Sequence, residues 1–187
     1  THQIFYRQTF MLQELFSLKA TDKDCPGLPL FALFTLALGM TSCFPPIDFR
    51  RPGKVSGKKL LAYLKKHRPS FIAGSPAIWG ALAQYCDQHK IILDFAKAVV
   101  MFGAPVSNEI HRQFSRALTH GTTYTPYGAT ECLPVSCMSG KDILEQTAEL
   151  SDRGSGTCVG APVAGVEVKI IEISDKAEKK LKSVSER

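Results

Sequence analysis

Hydrophobic positions along the chain alternate between helical and strand spacing. Apolar residues recur every three to four positions in several segments, which predicts amphipathic helices. Short apolar runs rich in β-branched residues lie between them and predict buried strands. The predicted helices are 4–18, 56–67, 77–88 and 108–118, and the predicted strands are 39–44, 71–73, 98–102 and 122–125. Because the two kinds of segment alternate, we expect an α/β domain with a mixed or parallel sheet flanked by helices.

Capping residues mark the starts and ends of these helices. Ser56 is a candidate N-cap for the helix that runs to His67, and Pro69 prevents that helix from continuing. Ser75 followed by Pro76 favours another helix start, because proline lacks only the N–H group that the first turn does not need. A serine at position 107 is the candidate cap for the last long helix.

The remaining segments carry weaker patterns. Residues 21–24 are polar and predict a turn. The apolar run 28–44 is interrupted by proline, glycine and hydroxyl residues, so we expect a buried element and no transmembrane segment. Residues 166–173 alternate well enough to predict a half-exposed strand. We expect a charged, fraying tail over 176–187.

Composition predicts one globular domain, or a large piece of one. The chain has 187 residues, of which 44% are hydrophobic and 21% charged. Its six cysteines are scattered without a CxxC pair, which argues against a structural zinc site. Most of them lie in apolar strings, where cysteine packs as a small hydrophobic residue. Reduced thiols of this kind favour a cytoplasmic location.

The net charge of +6 is concentrated in the acid-free stretch 50–68. One interpretation is a patch that binds nucleic acid, anionic lipid or the phosphates of CoA. The other is the solvated face of an amphipathic helix, since Leu60, Leu61 and Leu64 recur opposite the lysines. The stretch lacks interleaved aromatic residues, which favours the solvated face and predicts no specific nucleic-acid partner.

The run 125–131 has the richest candidate chemistry. Tyr127 can stack on a purine, and Gly128 lets the backbone approach a ligand closely. Thr130 can donate to a phosphate oxygen, and Glu131 offers the hard oxygen ligand that Mg²⁺ prefers. The alternative is an ordinary corner between a strand and a turn with an exposed acid, because short motifs also match by chance.

The segment 127–131 resembles the YGxTE motif of the adenylate-forming superfamily, which includes acyl-CoA synthetases, aryl-CoA ligases, nonribosomal adenylation domains and luciferases. Further stretches follow in that family's order. Residues 102–107 resemble its GGAPxS turn, 72–76 its strand-and-proline loop, and 159–168 its VGxPxPGxEV segment. Within the superfamily, residues 28–41 and 127–134 most resemble the olefin-biosynthesis β-lactone synthetases and long-chain acyl-CoA ligases.

This resemblance implies that residues 1–175 form the central part of the large N-terminal domain of such an enzyme. The family's TSGTTGxPKG phosphate loop, its ribose-binding aspartate and its C-terminal lysine have no counterpart here. We therefore expect a fragment that is inactive alone and whose partners are the N- and C-terminal parts of the same enzyme.

The implied activity is ATP-dependent conversion of a fatty acid, including a β-hydroxy acid, into an acyl-adenylate. Two alternatives stay open. One is a long-chain fatty acid–CoA ligase, and the other, of a different class, is a non-catalytic polyanion-binding module of the same fold. The implied cofactors are ATP and Mg²⁺, with CoA as a further candidate.

The resemblance also assigns roles to residues. Thr130 would bind the α-phosphate and Glu131 would hold Mg²⁺, which makes them the candidate catalytic residues. Tyr127 would stack on adenine beside Gly128. The small residues of the preceding loop would form the wall of the adenine site; they are Gly103, Ala104 and Pro105.

The expected acyl pocket is lined by Phe31, Phe34, Gly74, Ser75 and Trp79. For the aromatic members the alternative is a place in the core, as in most proteins. Where the family often has histidine after its PLF segment, this chain has alanine at position 32, which favours a larger apolar volume. The cysteine at position 132 lies beside the nucleotide motif, and we expect it to pack and not to act as a nucleophile.

Overall fold

The computed structural model describes residues 2–171, and within them the strands form one seven-stranded mixed sheet. The strands are β1 Lys23–Pro26, β2 Thr41–Ser42, β3 Phe71–Gly74, β4 Ala98–Met101, β5 Thr122–Ala129, β6 Cys132–Ser139 and β7 Ala161–Pro162. Their spatial order is β2-β1-β3-β4-β5-β6-β7. The first five run parallel, and β6 and β7 are antiparallel to their neighbours. The predicted α/β architecture with a mixed sheet is confirmed.

Helices connect and cover these strands. They are α1 His2–Phe16, α2 Ala32–Ala37, α3 Gly57–His67, α4 Pro76–Gln88, α5 Asn108–Ala117, α6 Gly140–Asp142 and α7 Ala148–Asp152. Ser56 Oγ accepts from the Lys59 N–H at 3.4 Å, as predicted for a cap. Ser75 Oγ does the same for Ala77 at 3.2 Å. Ser107 stands at the N-cap of α5 but makes no side-chain capping bond.

The sheet has two different faces. On the helix-covered face, α3, α4 and α5 pack over a cluster that includes Val99 and Met101 of β4. On the other face, here called the groove face, α1 and the α2 segment pack over Ala98 and Val100 of the same strand. Successive side chains of a strand point to opposite faces, so each strand supplies both clusters.

The predicted turn at 21–24 is wrong in its second half, because Lys23–Pro26 forms an interior strand between β2 and β3. The side chain of Asp24 is fully buried there. Its Oδ2 accepts a hydrogen bond of 2.9 Å from Thr35 Oγ1 on α2. An acidic residue that is buried against a partner 11 positions away hides the strand pattern in the sequence.

Two other predictions need correction. The run 28–44 is not one buried element: it divides into a 3₁₀ turn at Pro29–Phe31, α2 and β2. Several of its leucines are exposed, namely Leu28, Leu30, Leu33 and Leu36. Residues 166–171 form no strand, while the rest of the strand predicted at 166–173 and the tail at 176–187 lie outside the described residues. Between residues 2 and 171, no helix has the length and apolarity needed to cross a membrane.

Candidate functional site

A groove of about 570 Å³ opens on the groove face, beside the carboxyl ends of β4 and β5. Ligands of open α/β sheets bind at such carboxyl ends. The groove brings together six residues that the sequence predicts as site residues. They are Phe31, Phe34, Gly103, Gly128, Thr130 and Glu131.

One wall of the groove is aromatic. Phe31 is buried, and its ring centroid lies 5.5 Å from that of Phe34 and 5.0 Å from that of Phe102. Phe34 in turn stacks on Phe5 of α1 at 4.6 Å with an interplanar angle of 19°. Aromatic rings at these separations attract each other and form a stiff apolar surface. The wall therefore suits an extended apolar group.

The opposite end of the groove is formed by the hairpin between β5 and β6. The sequence predicts a loop from Tyr127 to Glu131, but β5 continues through Ala129, which pairs with Cys132. Thr130 and Glu131 alone form the turn. A Cβ atom at Gly128 would lie 2.5 Å from the Cys132 carbonyl oxygen, so this glycine permits the close approach of the two strands.

Alternation along β5 divides the motif between the two faces of the sheet. Pro126, Gly128 and Ala129 line the groove, and Thr125 and Tyr127 do not. Alternation up to the irregularity between Tyr127 and Ala129 assigns Thr125 and Tyr127 to the other face. Tyr127 is 55% exposed. The loop after β4 places Gly103 in the groove, and the two residues that follow it, Ala104 and Pro105, are exposed outside it.

Glu131 is an exposed carboxylate at the tip of the turn. No cation pairs with it among residues 2–171. The described chain also has no group of three or more His, Cys, Asp or Glu side chains that could hold a metal ion. A single free carboxylate fits Mg²⁺, which binds proteins through one or two carboxylates and takes further ligands from water and substrate phosphates.

The remaining predicted acyl-pocket residues lie outside the groove. Trp79 is fully buried within the cluster of the helix-covered face. A Cβ atom at Gly74 would lie 2.8 Å from Gly27 Cα, so this glycine allows two backbone segments to touch. Ser75 caps α4. In this structure the three residues serve core packing, a close backbone contact and helix capping. Their role in acyl binding stays a prediction.

Sequence reasoning missed several groove residues, above all those of α1. Ile4 and Phe5 line the groove, as do Phe102 and Leu133. Gln8, on the same helix, donates a hydrogen bond of 3.1 Å to the backbone oxygen of Thr130. The apolar positions of α1 were visible in its helical pattern, but the pattern does not say which distant strand they face.

His111 ties the helix after the Gly103 loop to β5. It is 1% exposed, and its Nδ1 lies 2.7 Å from Thr123 Oγ1. Burial lowers the pKa of His111 to about 4. The ring is therefore neutral at pH 7 and holds α5 against the strand without adding charge to the site.

The cysteines differ in their burial. Burial raises the pKa of the Cys86 thiol to about 11 and that of Cys137 to about 12, so both are unreactive packing residues. Cys132 is exposed, so the prediction that it packs is wrong.

The lysines of α3 point outward, opposite its three buried leucines. This is the arrangement of a solvated amphipathic helix, and polyanion binding stays a hypothesis.

Known proteins resemble this chain in sequence. The family described as AMP-binding enzyme matches residues 25–184. An olefin β-lactone synthetase of Stenotrophomonas maltophilia is 38% identical over 175 residues, which are 93% of this chain and 31% of that protein. The chain thus spans about a third of the length of this curated relative.

Solved structures share the fold. An unliganded O-succinylbenzoate coenzyme A synthetase of Bacillus subtilis superposes with a TM-score of 0.71 at 18% identity, over 95% of this chain and 35% of that one. A long-chain-fatty-acid-CoA ligase of Archaeoglobus fulgidus gives a TM-score of 0.69 at 16% identity, over 94% of this chain and 35% of that one. At these identities the likeness shows the fold alone, which is that of the N-terminal domain of adenylate-forming enzymes.

Proposed function

The chain belongs to the AMP-binding enzyme family, and on that premise we propose that the full-length protein carrying it activates a fatty acid with ATP to form an acyl-adenylate. The observation that supports this most is the groove, whose aromatic wall suits an apolar chain while Thr130 and Glu131 stand at its polar end. A carboxylic acid with a long tail has the same division between an apolar and a reactive part.

In this proposal each end of the groove has its own task. The acyl chain lies along Phe31 and Phe34, which exclude water from it. At the hairpin, the Thr130 hydroxyl would donate a hydrogen bond to an α-phosphate oxygen, and the Glu131 carboxylate would hold Mg²⁺. When bound, Mg²⁺ would supply positive charge that stabilises the negative charge growing on the phosphate as the carboxylate attacks.

The nucleotide base would lie on the other face of the sheet. Tyr127 presents an exposed ring there for stacking on adenine. Gly103, Ala104 and Pro105 form the loop between the groove and that face, and their small side chains leave room for the ring. The substrates would therefore cross the carboxyl edge of the sheet between β4 and β5.

For the step after adenylation, we infer β-lactone formation. The relative that is 38% identical is named an olefin β-lactone synthetase. In the acyl-adenylate of a β-hydroxy acid, the hydroxyl oxygen would attack the activated carbonyl carbon, lose its proton and expel AMP. The nucleophile is only a few atoms from the carbonyl, so positioning replaces a second substrate. An apolar groove protects the adenylate from hydrolysis while this happens.

The test supplies the full-length protein with ATP, Mg²⁺ and a 2-alkyl-3-hydroxy fatty acid, with and without CoA. We expect a β-lactone and AMP in both cases, identified by mass spectrometry. A strict CoA requirement, with acyl-CoA as the only product, would instead establish the long-chain fatty acid–CoA ligase. If no carboxylic acid stimulates ATP consumption, the proposal of adenylation itself is wrong.

A further inference from the structure

A buried glutamine holds the turn that presents the candidate catalytic residues. Gln8 is only 6% exposed, and its side-chain amide Nε2 donates to the backbone oxygen of Thr130 at 3.1 Å. The two residues are 122 positions apart in the sequence. Within residues 2–171, this is the sole side-chain hydrogen bond that reaches the Thr130–Glu131 turn.

The same helix also touches the aromatic wall. Phe5 stands three positions before Gln8 on α1, and residues with this spacing lie on one face of a helix. Its ring stacks on Phe34 at 4.6 Å, and both rings line the groove. One face of α1 therefore contacts the apolar wall at one point and the polar turn at the next.

The turn needs such support because it has little of its own. Thr130 and Glu131 are exposed and lie beyond the last β5–β6 pair, Ala129 with Cys132. Fixing the peptide between them fixes the direction in which both side chains leave the backbone. Losing the amide donor also leaves the Thr130 carbonyl without this partner, and an unmade bond in a part-buried place costs free energy.

We propose that Gln8 is a positioning residue for the adenylation step: it fixes the turn that presents Thr130 and Glu131, and through α1 it connects that turn to the acyl wall. This rests on the proposed function.

The experiment replaces Gln8 with leucine in the full-length protein, which keeps the size and removes the donor. We expect kcat for fatty-acid-dependent pyrophosphate release to fall ~10-fold, since small displacements of reacting groups are costly. The Mg²⁺ concentration for half-maximal rate should rise several-fold, and KM for the fatty acid should stay within about twofold. Gln13→Leu is the matched control, because Gln13 is a half-buried α1 residue that does not line the groove.

A second readout does not depend on activity. Hydrogen exchange of the peptide that spans 127–133, followed by mass spectrometry, should be faster in Gln8→Leu and unchanged in Gln13→Leu. If Gln8→Leu does not fold, Gln8→Met removes the same donor with an unbranched side chain. If the wild-type protein shows no adenylation activity but Gln8→Leu still exchanges faster at 127–133, the proposed function is wrong, whereas the support of the turn by Gln8 stands. Equal kcat, Mg²⁺ dependence and exchange in both variants would overturn the inference.

Discussion

The two faces of the sheet share the same strands, but one face carries a closed core and the other carries an open groove. On the helix-covered face, three helices close the core so fully that Trp79 and Phe114 have no exposed surface. On the groove face, the cover is α1 and the six-residue α2, and a cavity of about 570 Å³ is left beside the carboxyl edge. Among residues 2–171, the same strands supply both faces, and the faces differ in how much of each the helices cover.

The faces also differ in what their walls are made of. Apart from Trp79 and Phe114, the buried residues of the helix-covered cluster are mainly aliphatic. The groove face instead has contacting phenylalanine rings that line an open cavity. Aliphatic side chains interdigitate to the density of a crystal, whereas aromatic rings attract each other in offset or tilted pairs.

The largest expected effect is a loss of stability when a cavity is made in the core of the helix-covered face. Trp79→Ala should lower the free energy of unfolding by about 3–5 kcal/mol, because it leaves a cavity in a fully buried place. Phe34→Ala, at a half-buried groove position, should cost clearly less. Urea unfolding followed by circular dichroism measures both. Equal losses at the two positions would contradict the contrast between the faces.

Trp79→Phe is the matched control for this experiment. The indole Nε1 of Trp79 has no hydrogen-bond partner within the described chain. Phenylalanine keeps most of the ring and removes that unsatisfied donor, so it should recover most of the loss seen with alanine.

A smaller effect, on rate and not on stability, should follow from changing the groove's polar end. In the full-length protein, Glu131→Gln should reduce acid-dependent pyrophosphate release by ~10²-fold or more, as the loss of a well-placed charge stabiliser does. The melting temperature should barely change, because the side chain is exposed. Glu14→Gln on α1 is an exposed control. Near-wild-type activity of Glu131→Gln would show that this carboxylate does not hold the metal.

The smallest effect concerns the buried carboxyl beneath α2. Burial raises the pKa of Asp24 above its ordinary value of 3.8, against the opposing hydrogen bonds from Ser42 and Thr35. The folded protein thus holds this proton more tightly than the unfolded chain does. Its contribution to stability is present below pH 3.8 and is lost as the pH rises through the raised pKa.

Asp24→Asn removes that titration. The difference in unfolding free energy, variant minus wild type, should therefore grow in favour of the variant as the pH rises from about 4, and then level off. Taking the difference cancels the other carboxyls of the chain. A difference that is independent of pH would show that Asp24 titrates normally and that the floor of the groove face is wetter than its burial indicates.

Much of the fold was predictable from short-range patterns. The helices α3 and α4 follow from their apolar spacing and from Ser56 and Ser75, whose capping bonds join residues two or three positions apart. The strand β4 follows from its run of buried apolar residues. The order of the motifs placed Gly103, Thr130 and Glu131 at one edge because parallel strands all end there.

The misses have a common cause in long-range pairing. β1 was hidden because Asp24 is stabilised by Thr35, and β5 was predicted too short because its last residues pair with β6 across a bulge. Trp79 and Phe34 have the same sequence signal, an aromatic residue in an apolar segment. Only the arrangement of helices over each face buries the first and leaves the second in a groove.

By itself, then, the sequence determined the kinds of elements, their order and the chemistry of the motif from Tyr127 to Glu131, since these depend on neighbours along the chain. Only the tertiary structure decided which motif residues line the groove: Gly128 does, whereas Tyr127 is exposed outside it. It also decided that Gln8 meets Thr130 across 122 positions. Such a contact depends on the packing of the whole domain, and the helix or strand preferences of neighbouring residues do not predict it.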